Sequence, residues 1–588
     1  MHTFEVWGPR AHKLVVKIGD KHHDLQACEH GWWKADVSGA GPGTDYAFVI
    51  DDGDPLPDPR SAYQPFGING PSRIVDHSAF CWTDMHWQAR PLSSAIIYEL
   101  HIGTFTPEGT FLSAITKLDH LVDLGVTHIE IMPVAEFSGQ WGWGYDGVDL
   151  FAPHHAYGTP DDLKELIDAC HAKGLALLLD VVYNHLGPAG NYLSRFGPYF
   201  TGAYKTPWGE AINLDHRGSH EVRSLLVANA LMWLRDYHFD GLRLDAVHAF
   251  VDNSAIHFLE YLSSEVDVLS AHLGRHLVLI AESDLNDPRI VMSREAGGYG
   301  IDAHWNDEFH HALHSLLTGE VNGYYEDYGK VEHLAHALEN VYVYAGTYSP
   351  HRDRVHGRSI RGLSGRHFVV FAQNHDQIGN RACGERLCAL TNPGRQKIAA
   401  ASVLTSPFVP MLFQGEEFCS SSPFLYFSDH ADPELARSVS NGRKNEFKAF
   451  GWDPAQIPDP QSAQTFQDSK IPWHEVSSRG HAELLSWYKK LITFRRSSAA
   501  LTDDRLERVH VKFDETSQWL IVRRDDTEVI YNFRSDAQAI PISSASPSVL
   551  CSEEGWQLRP GLIELPGDSV AVLSALGALK ARSTTAGC

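Results

Sequence analysis

No stretch of the 588 residues approaches the roughly 18 consecutive apolar residues of a membrane span. The opening MHTFEVWGPR has no basic region followed by an apolar run, so a secretory signal peptide is not expected. Cations are in short supply. Lys and Arg number 49 against 74 Asp and Glu, a net charge of −25, which argues against nucleic acid or an anionic membrane as partner. The eight cysteines (28, 81, 170, 383, 388, 419, 551 and 588) are scattered and form no metal-ligand spacing. Cys170 sits on an apolar helical face and reads as a small core residue. A reducing cytoplasm is the expected home. There is no internal repeat.

Aromatics are plentiful, with 15 Trp and 21 Tyr, and flat rings suit sugar faces as well as cores. The length points to two to four domains. Residues 1–90 carry short alternating runs at Phe4 to Val6, Leu14 to Ile18, Trp32 to Ala35 and Tyr46 to Ile50. Gly, Pro and Asp separate them, the pattern of a small β-sandwich. The Pro- and Gly-rich segment Pro55 to Ser72 is expected to dock onto the next domain through Arg60, Tyr63 and Phe66.

From residue 91 strands and helices alternate. Apolar runs at Ile96 to Leu100, His128 to Met132, Leu175 to Val182, Leu242 to Asp245 and Leu277 to Ala281 predict five strands. Ile301 to Trp305, Phe368 to Phe371 and Pro410 to Phe413 complete eight. Between them, Leu112, Ile115, Leu118 and Leu121 predict one helical face, ended by Gly125. Thr159-Pro160 caps a second helix, and Leu225 to Tyr237 a third. The α/β pattern predicts a (β/α)8 TIM barrel over 91–500, ending in a helix at Leu484 to Arg495. The long connection from Asn184 to about His220 is expected to wall the site. Runs at Val509 to Phe513, Leu520 to Arg523, Val529 to Phe533 and Val570 to Leu573 predict a small β domain over 501–580. The tail ARSTTAGC is expected to be disordered.

Active sites of such barrels gather at the C-terminal ends of strands. Acids stand there repeatedly: Asp180 and then Asn184-His185 after the third strand, Asp245 after the fourth, Glu282 after the fifth, Asp376 after the seventh. Burying several carboxylates together is costly unless their charges are used. Retaining glycoside hydrolysis uses them, through one ionised nucleophile and one protonated acid. Arg243, two residues before Asp245, suits the nucleophile. The apolar run before Glu282 suits an acid with a raised pKa. Asp376, beside His375, suits contact with sugar hydroxyls.

VVYNH, GLRLDAVHA, LIAES and QNHDQ resemble the four short motifs of the α-amylase family of retaining glycosidases, in that family's order. The resemblance spans about 91–500 and also accommodates the flanking β domains, the first of them like a carbohydrate-binding module. It implies Asp245 as nucleophile, Glu282 as acid/base and Asp376 as transition-state stabiliser. His185, Arg243 and His375 would line the subsite of the attacked glucose, with Tyr145 as platform beneath it and Asp146 alongside. Many relatives have Lys-His after the nucleophile, where this chain reads Val247-His248; His248 would keep a leaving-group contact.

PRSAYQPFGINGPS, QWGWGYDGVDLFAPHHAYGTP, QNHDQIGNRACGERL and FLYFSDHADPEL resemble the maltooligosyltrehalose trehalohydrolases more narrowly, as do GRKNEF and IPW. That implies maltooligosyltrehalose as substrate, with Trp305, Asn306, Asp307, Gln377, Asn380 and Arg381 as further contacts. Loops Gln377 to Arg386 and Gln414 to Asp432 are candidate walls for the trehalose side. Many amylase relatives bind calcium near the residue matching Asn184. Here Glu210 and Asp215 are the only acids between 184 and 219, so no required metal and no cofactor are expected. A monomer or homodimer is expected. The alternatives are a glucan branching enzyme or an α-amylase, and, from another class, a carbohydrate-binding protein without catalysis.

Overall fold

The computed structural model describes residues 1–360, 362–446, 453–543 and 548–574. The C-terminal tail and Phe447 of GRKNEF lie outside them. Eight parallel strands close a barrel in chain order: Ile97–Leu100, His128–Ile131, Ala176–Val181, Gly241–Leu244, Val278–Ala281, Ala303–Trp305, Phe368–Val370 and Val409–Phe413. The eighth pairs with the first, Met411 opposite Ile97. Each strand matches a predicted apolar run, because a strand covered on both faces has no polar alternation to blur it. Residues that continue those runs, such as Met132 and Val182, are buried but leave the ladder, where the chain turns into the loops carrying the site.

Two antiparallel sheets precede the barrel. His2–Trp7, Trp32–Val37 and Gln26–Ala27 form one; Lys21–Asp24, Leu14–Ile18, Asp45–Ile50 and Pro55–Leu56 form the other, with Ser72–Arg73 against Asp45–Ile50. Phe4, Val6, Leu14, Val16 and Phe48 are buried between them. The segment after Pro55 is docked. Arg60 lies over the rings of Trp32 (5.6 Å) and Phe151 (5.7 Å), joining the first sheets to the barrel's insertion. Tyr46 donates to the buried Asp58 carboxylate at 2.7 Å. Phe66 is not part of that docking; it is 63% exposed. Beyond the helix Arg479–Ser497 a five-stranded and a three-stranded antiparallel sheet follow. The second of these, Gln538–Pro541, Leu562–Leu565 and Gln557–Arg559, has too few alternating residues to be read from sequence.

One expected helix divides. Thr110 and Ser113 form a reciprocal capping box, so the first helix begins at Phe111 and ends at Ile115, and a second runs Leu118–Leu124. The break turns Leu112 outward (42% exposed) and Phe111 inward, so Leu112 does not share a face with Leu118 and Leu121. Gly125 ends the second piece at φ +98, as expected. The helix expected from Leu225 begins earlier, at Ser219, after Gly218 at φ +87. Thr159 and Asp162 cap Pro160–Ala172 reciprocally, and Cys170 on that helix is fully buried.

Candidate active site

The ends of the third and fourth strands set the geometry. Register pairs Asp180 with Arg243, placing both at one level of the barrel. The Arg243 guanidinium is fully buried and stacks over Trp305 at 4.2 Å. Its Nη1 donates to both oxygens of Asp180 (3.0 and 2.9 Å) and to Oδ1 of Asp245 (2.8 Å). Its Nη2 stands 3.0 Å from Oε2 of Glu282. One cation therefore holds three carboxylates: Asp180 within the third strand, Asp245 after the fourth and Glu282 after the fifth. Burial works against the Arg243 charge, but Asp180 and Glu282 outweigh it and hold its pKa high.

Asp245 also accepts from Asn184 Nδ2 at 3.1 Å, which gives that asparagine a role in positioning the carboxylate. Glu282 accepts from the Ala246 N–H at 2.7 Å, and Ala246 takes a left-handed φ of +40 to make this turn. The apolar run Leu277 to Ala281 packs into the barrel's cores instead of around the Glu282 carboxyl. The partners of the Glu282 carboxyl are a guanidinium and a backbone amide, not the apolar neighbours it has in sequence.

His375 begins a short helix capped by Asn374. Its Nδ1 pairs with Glu99 at the end of the first strand, and its N–H donates to the same carboxylate at 3.1 Å. Burial lowers the His375 pKa, but the Glu99 charge and hydrogen bond dominate and raise it to about 9. Tyr145 bridges Asp180 Oδ2 (2.6 Å) and His375 Nε2 (2.7 Å) through its hydroxyl, its ring stacked against the imidazole. Asp180 is pushed up to about 7 by burial. Burial, then Glu282, also raises Asp376, with His375 opposing. Asp376 accepts from Asn380 at 3.1 Å. His185 is held neutral, its pKa lowered by burial to about 4.

These groups surround a cavity of about 430 Å³, the size of a sugar-binding cleft. Of the residues expected from sequence, Tyr145, Asp146, His185, Asp245, His248, Glu282, His375 and Asp376 line it. Arg243, Asp307, Gln377 and Asn380 stand behind these. Asp307 is partly buried, its pKa raised by desolvation and then by Glu282 and Asp376, and it accepts from Gln377 at 3.4 Å. Three expected contacts stand elsewhere. Trp305 is buried under Arg243. Asn306 caps the helix Asp307–Thr318 and donates to Val341 O, both ends of its amide committed to backbone. Arg381 pairs with Glu320 at 2.7 and 2.9 Å.

The wall holds residues that sequence reading did not single out. Trp141 and Trp143 come from WGWGYD, and Tyr426 to His430 from FLYFSDH, inside the second loop named above. His430 stands 3.6 Å from Asp146. Trp208 tops the hairpin of Phe200–Thr206 and Gly209–Ile212 and stacks on His185 at 4.6 Å, with 5° between planes. It remains 47% exposed, facing the cleft. The length of the connection after Asn184 was its sequence signal.

Residues 82–199 match the family model described as Alpha amylase, catalytic domain. Over 583 residues the chain is 45% identical to a malto-oligosyltrehalose trehalohydrolase of Rhizobium sp. (strain M-11), covering 97% of each. A crystal structure from Salmonella typhimurium, provisionally described as an alpha amylase, aligns over 97% of both chains with a TM-score of 0.89 and 38% identity. A 1,4-alpha-glucan branching enzyme of Pseudoalteromonas atlantica is 31% identical over 411 residues, 60% of this chain and 55% of that one.

Proposed function

The chain belongs to the malto-oligosyltrehalose trehalohydrolases of the α-amylase family, and from that premise we propose that Asp245, Glu282 and Asp376 perform its glycoside hydrolysis. It is a glycosidase that cleaves the α-1,4-glucosidic bond next to the terminal trehalose of maltooligosyltrehalose. Trehalose and a shortened maltooligosaccharide are released, a step of trehalose biosynthesis.

In this reading Asp245 attacks the anomeric carbon while Glu282 protonates the departing glycosidic oxygen. The resulting glycosyl ester is opened by water, whose proton passes to Glu282. Asp376 holds ring hydroxyls as the sugar flattens towards the oxocarbenium-like transition state. The observation that carries the assignment is the single buried Arg243 guanidinium shared by Asp245 and Glu282. It ties both carboxyl groups to one point. Tyr145, His185 and His375 would pack around the attacked glucose, and His248 would face the leaving group. A cytoplasmic home and a monomeric or homodimeric state complete the reading; cell fractionation and light scattering test them.

Incubation with maltopentaosyl trehalose and, separately, with maltoheptaose, followed by chromatography, tests the reaction. Trehalose from the first with little cleavage of the second is expected. Maltodextrins from both, without trehalose preference, would point to the α-amylase alternative, and new α-1,6 branches to the branching enzyme. Glu282→Gln should cut kcat by about 10²–10⁴-fold while leaving oligosaccharide binding intact. Lost binding with unchanged turnover would remove Glu282 from the acid/base role.

A further inference from the structure

A second cluster of ligating side chains lies behind the cleft wall. Glu136 ends the two-residue strand Ala135–Glu136, which pairs with Asp149–Pro153 through a register shift between Ala135 and Glu136. At this break in the ladder the Glu136 carboxylate is fully buried. Its Oε2 accepts from the His155 N–H at 2.8 Å. Its Oε1 lies 2.8 Å from His155 Nδ1 and 3.3 Å from His154 Nδ1.

His154 is the anomaly. It is fully buried, its Nε2 makes no hydrogen bond, and its Nδ1 has only the 3.3 Å approach to Glu136, without good hydrogen-bond geometry. A buried polar group without a partner is costly, and its Nδ1 points to the same oxygen that His155 uses. The three donor atoms lie within 4.8 Å of one another. Nitrogen and oxygen donors at zinc distances stand roughly 3.3 Å apart in a tetrahedral site, so small adjustments would close the set.

We propose that Glu136, His154 and His155 form a zinc-binding site of two imidazoles and one carboxylate. The fourth position is left for water on the side of His155, whose side chain is 19% exposed. Two imidazoles with one carboxylate suit zinc and disfavour calcium or magnesium, which take oxygen donors. Each imidazole would bind through the Nδ1 lone pair with its proton on Nε2, and the Gln140 amide, whose nitrogen stands 3.1 Å from His155 Nε2, would turn its oxygen to accept that proton. Phe137 follows Glu136 directly, stacks on His154 at 3.7 Å, and lines the cleft together with Ser138. The ion would therefore stiffen the cleft wall from behind while taking no part in bond cleavage.

The test uses the full chain stripped with a chelator and titrated calorimetrically with zinc alone. One zinc per chain is expected, with a raised melting temperature. Affinity should fall by at least about tenfold in both Glu136→Gln and His155→Gln. His155→Gln, at a partly exposed position, keeps the test decisive if the buried substitution does not fold. Cobalt(II) should give the intense visible bands of a four-coordinate site in the wild type alone. Equal zinc binding in wild type and His155→Gln, which would place the metal on other histidines, overturns the proposal. So does the absence of stoichiometric binding.

Discussion

Arg243 shows how one residue organises the site. Removing it would leave Asp180, Asp245 and Glu282 crowded without a cation, so the charge is required in the folded state itself. The Glu99–His375 pair makes a separate prediction. Because the folded-state pKa of His375 is raised above its ordinary value of 6.5, its stabilisation is fully present below that value and is lost as pH rises through about 9. Activity and melting temperature should therefore fall together on the alkaline side near pH 9. Glu99→Gln, which removes the partner that raises the pKa, should move that fall to lower pH. Melting curves and kcat/KM measured from pH 6 to 10 would show it; an unmoved alkaline limb would exclude His375 as its source. Arg243, Asp245 and His375 were legible in sequence because each stands in or just after an apolar strand within a motif. The partners of Glu282 were not, since apolar neighbours in sequence say nothing about what meets a carboxyl across the barrel mouth.

Among elements, the hairpin Phe200–Thr206 and Gly209–Ile212 stands out because its only contribution to the cleft is Trp208 at its tip. The ring stacks on His185 and remains partly exposed towards the cleft. A sugar packed on its exposed part would bury apolar carbon against aromatic surface, worth about 0.5–1.5 kcal/mol. Trp208→Ala should raise KM for maltooligosyltrehalose by about two- to tenfold, with kcat less affected. Steady-state kinetics decides this, and an unchanged KM would make the hairpin a bystander. The divided helix around Lys117 teaches the opposite lesson. Its 3.6-residue periodicity was present, but the break between Ile115 and Leu118 reset the phase, which periodicity alone does not register.

At the scale of the whole molecule, the β sheets at the two ends clasp the barrel by specific contacts. Trp7 packs on Tyr199 and Phe48 on Phe196, while Arg60 spans Trp32 and Phe151. On the other side Arg524 donates to the carbonyls of Thr405 and Ser406 at 2.9 and 2.8 Å. Arg60→Ala removes two cation–π contacts at the first junction, about 0.5–1 kcal/mol each. The N-terminal sheets should then become more susceptible to proteolysis and melt earlier, with kcat nearly unchanged. Limited proteolysis with mass identification would test it; a fall in kcat without loosening would mean that the junction shapes the cleft.

The sequence by itself determined the barrel and put Asp245, Glu282 and Asp376 just after its strands, because strands buried on both faces must be apolar and polar residues begin where those runs end. Only the tertiary structure decided what surrounds those acids. Trp208 reaches His185 from the tip of an insertion, and Asn306 and Arg381 turn away to cap a helix and to pair with Glu320. Glu136 meets His154 and His155 where the register of two short strands shifts. Such contacts join residues far apart in the chain or on separate loops, and their free energy depends on distance and burial, quantities that come into being only when the chain has closed.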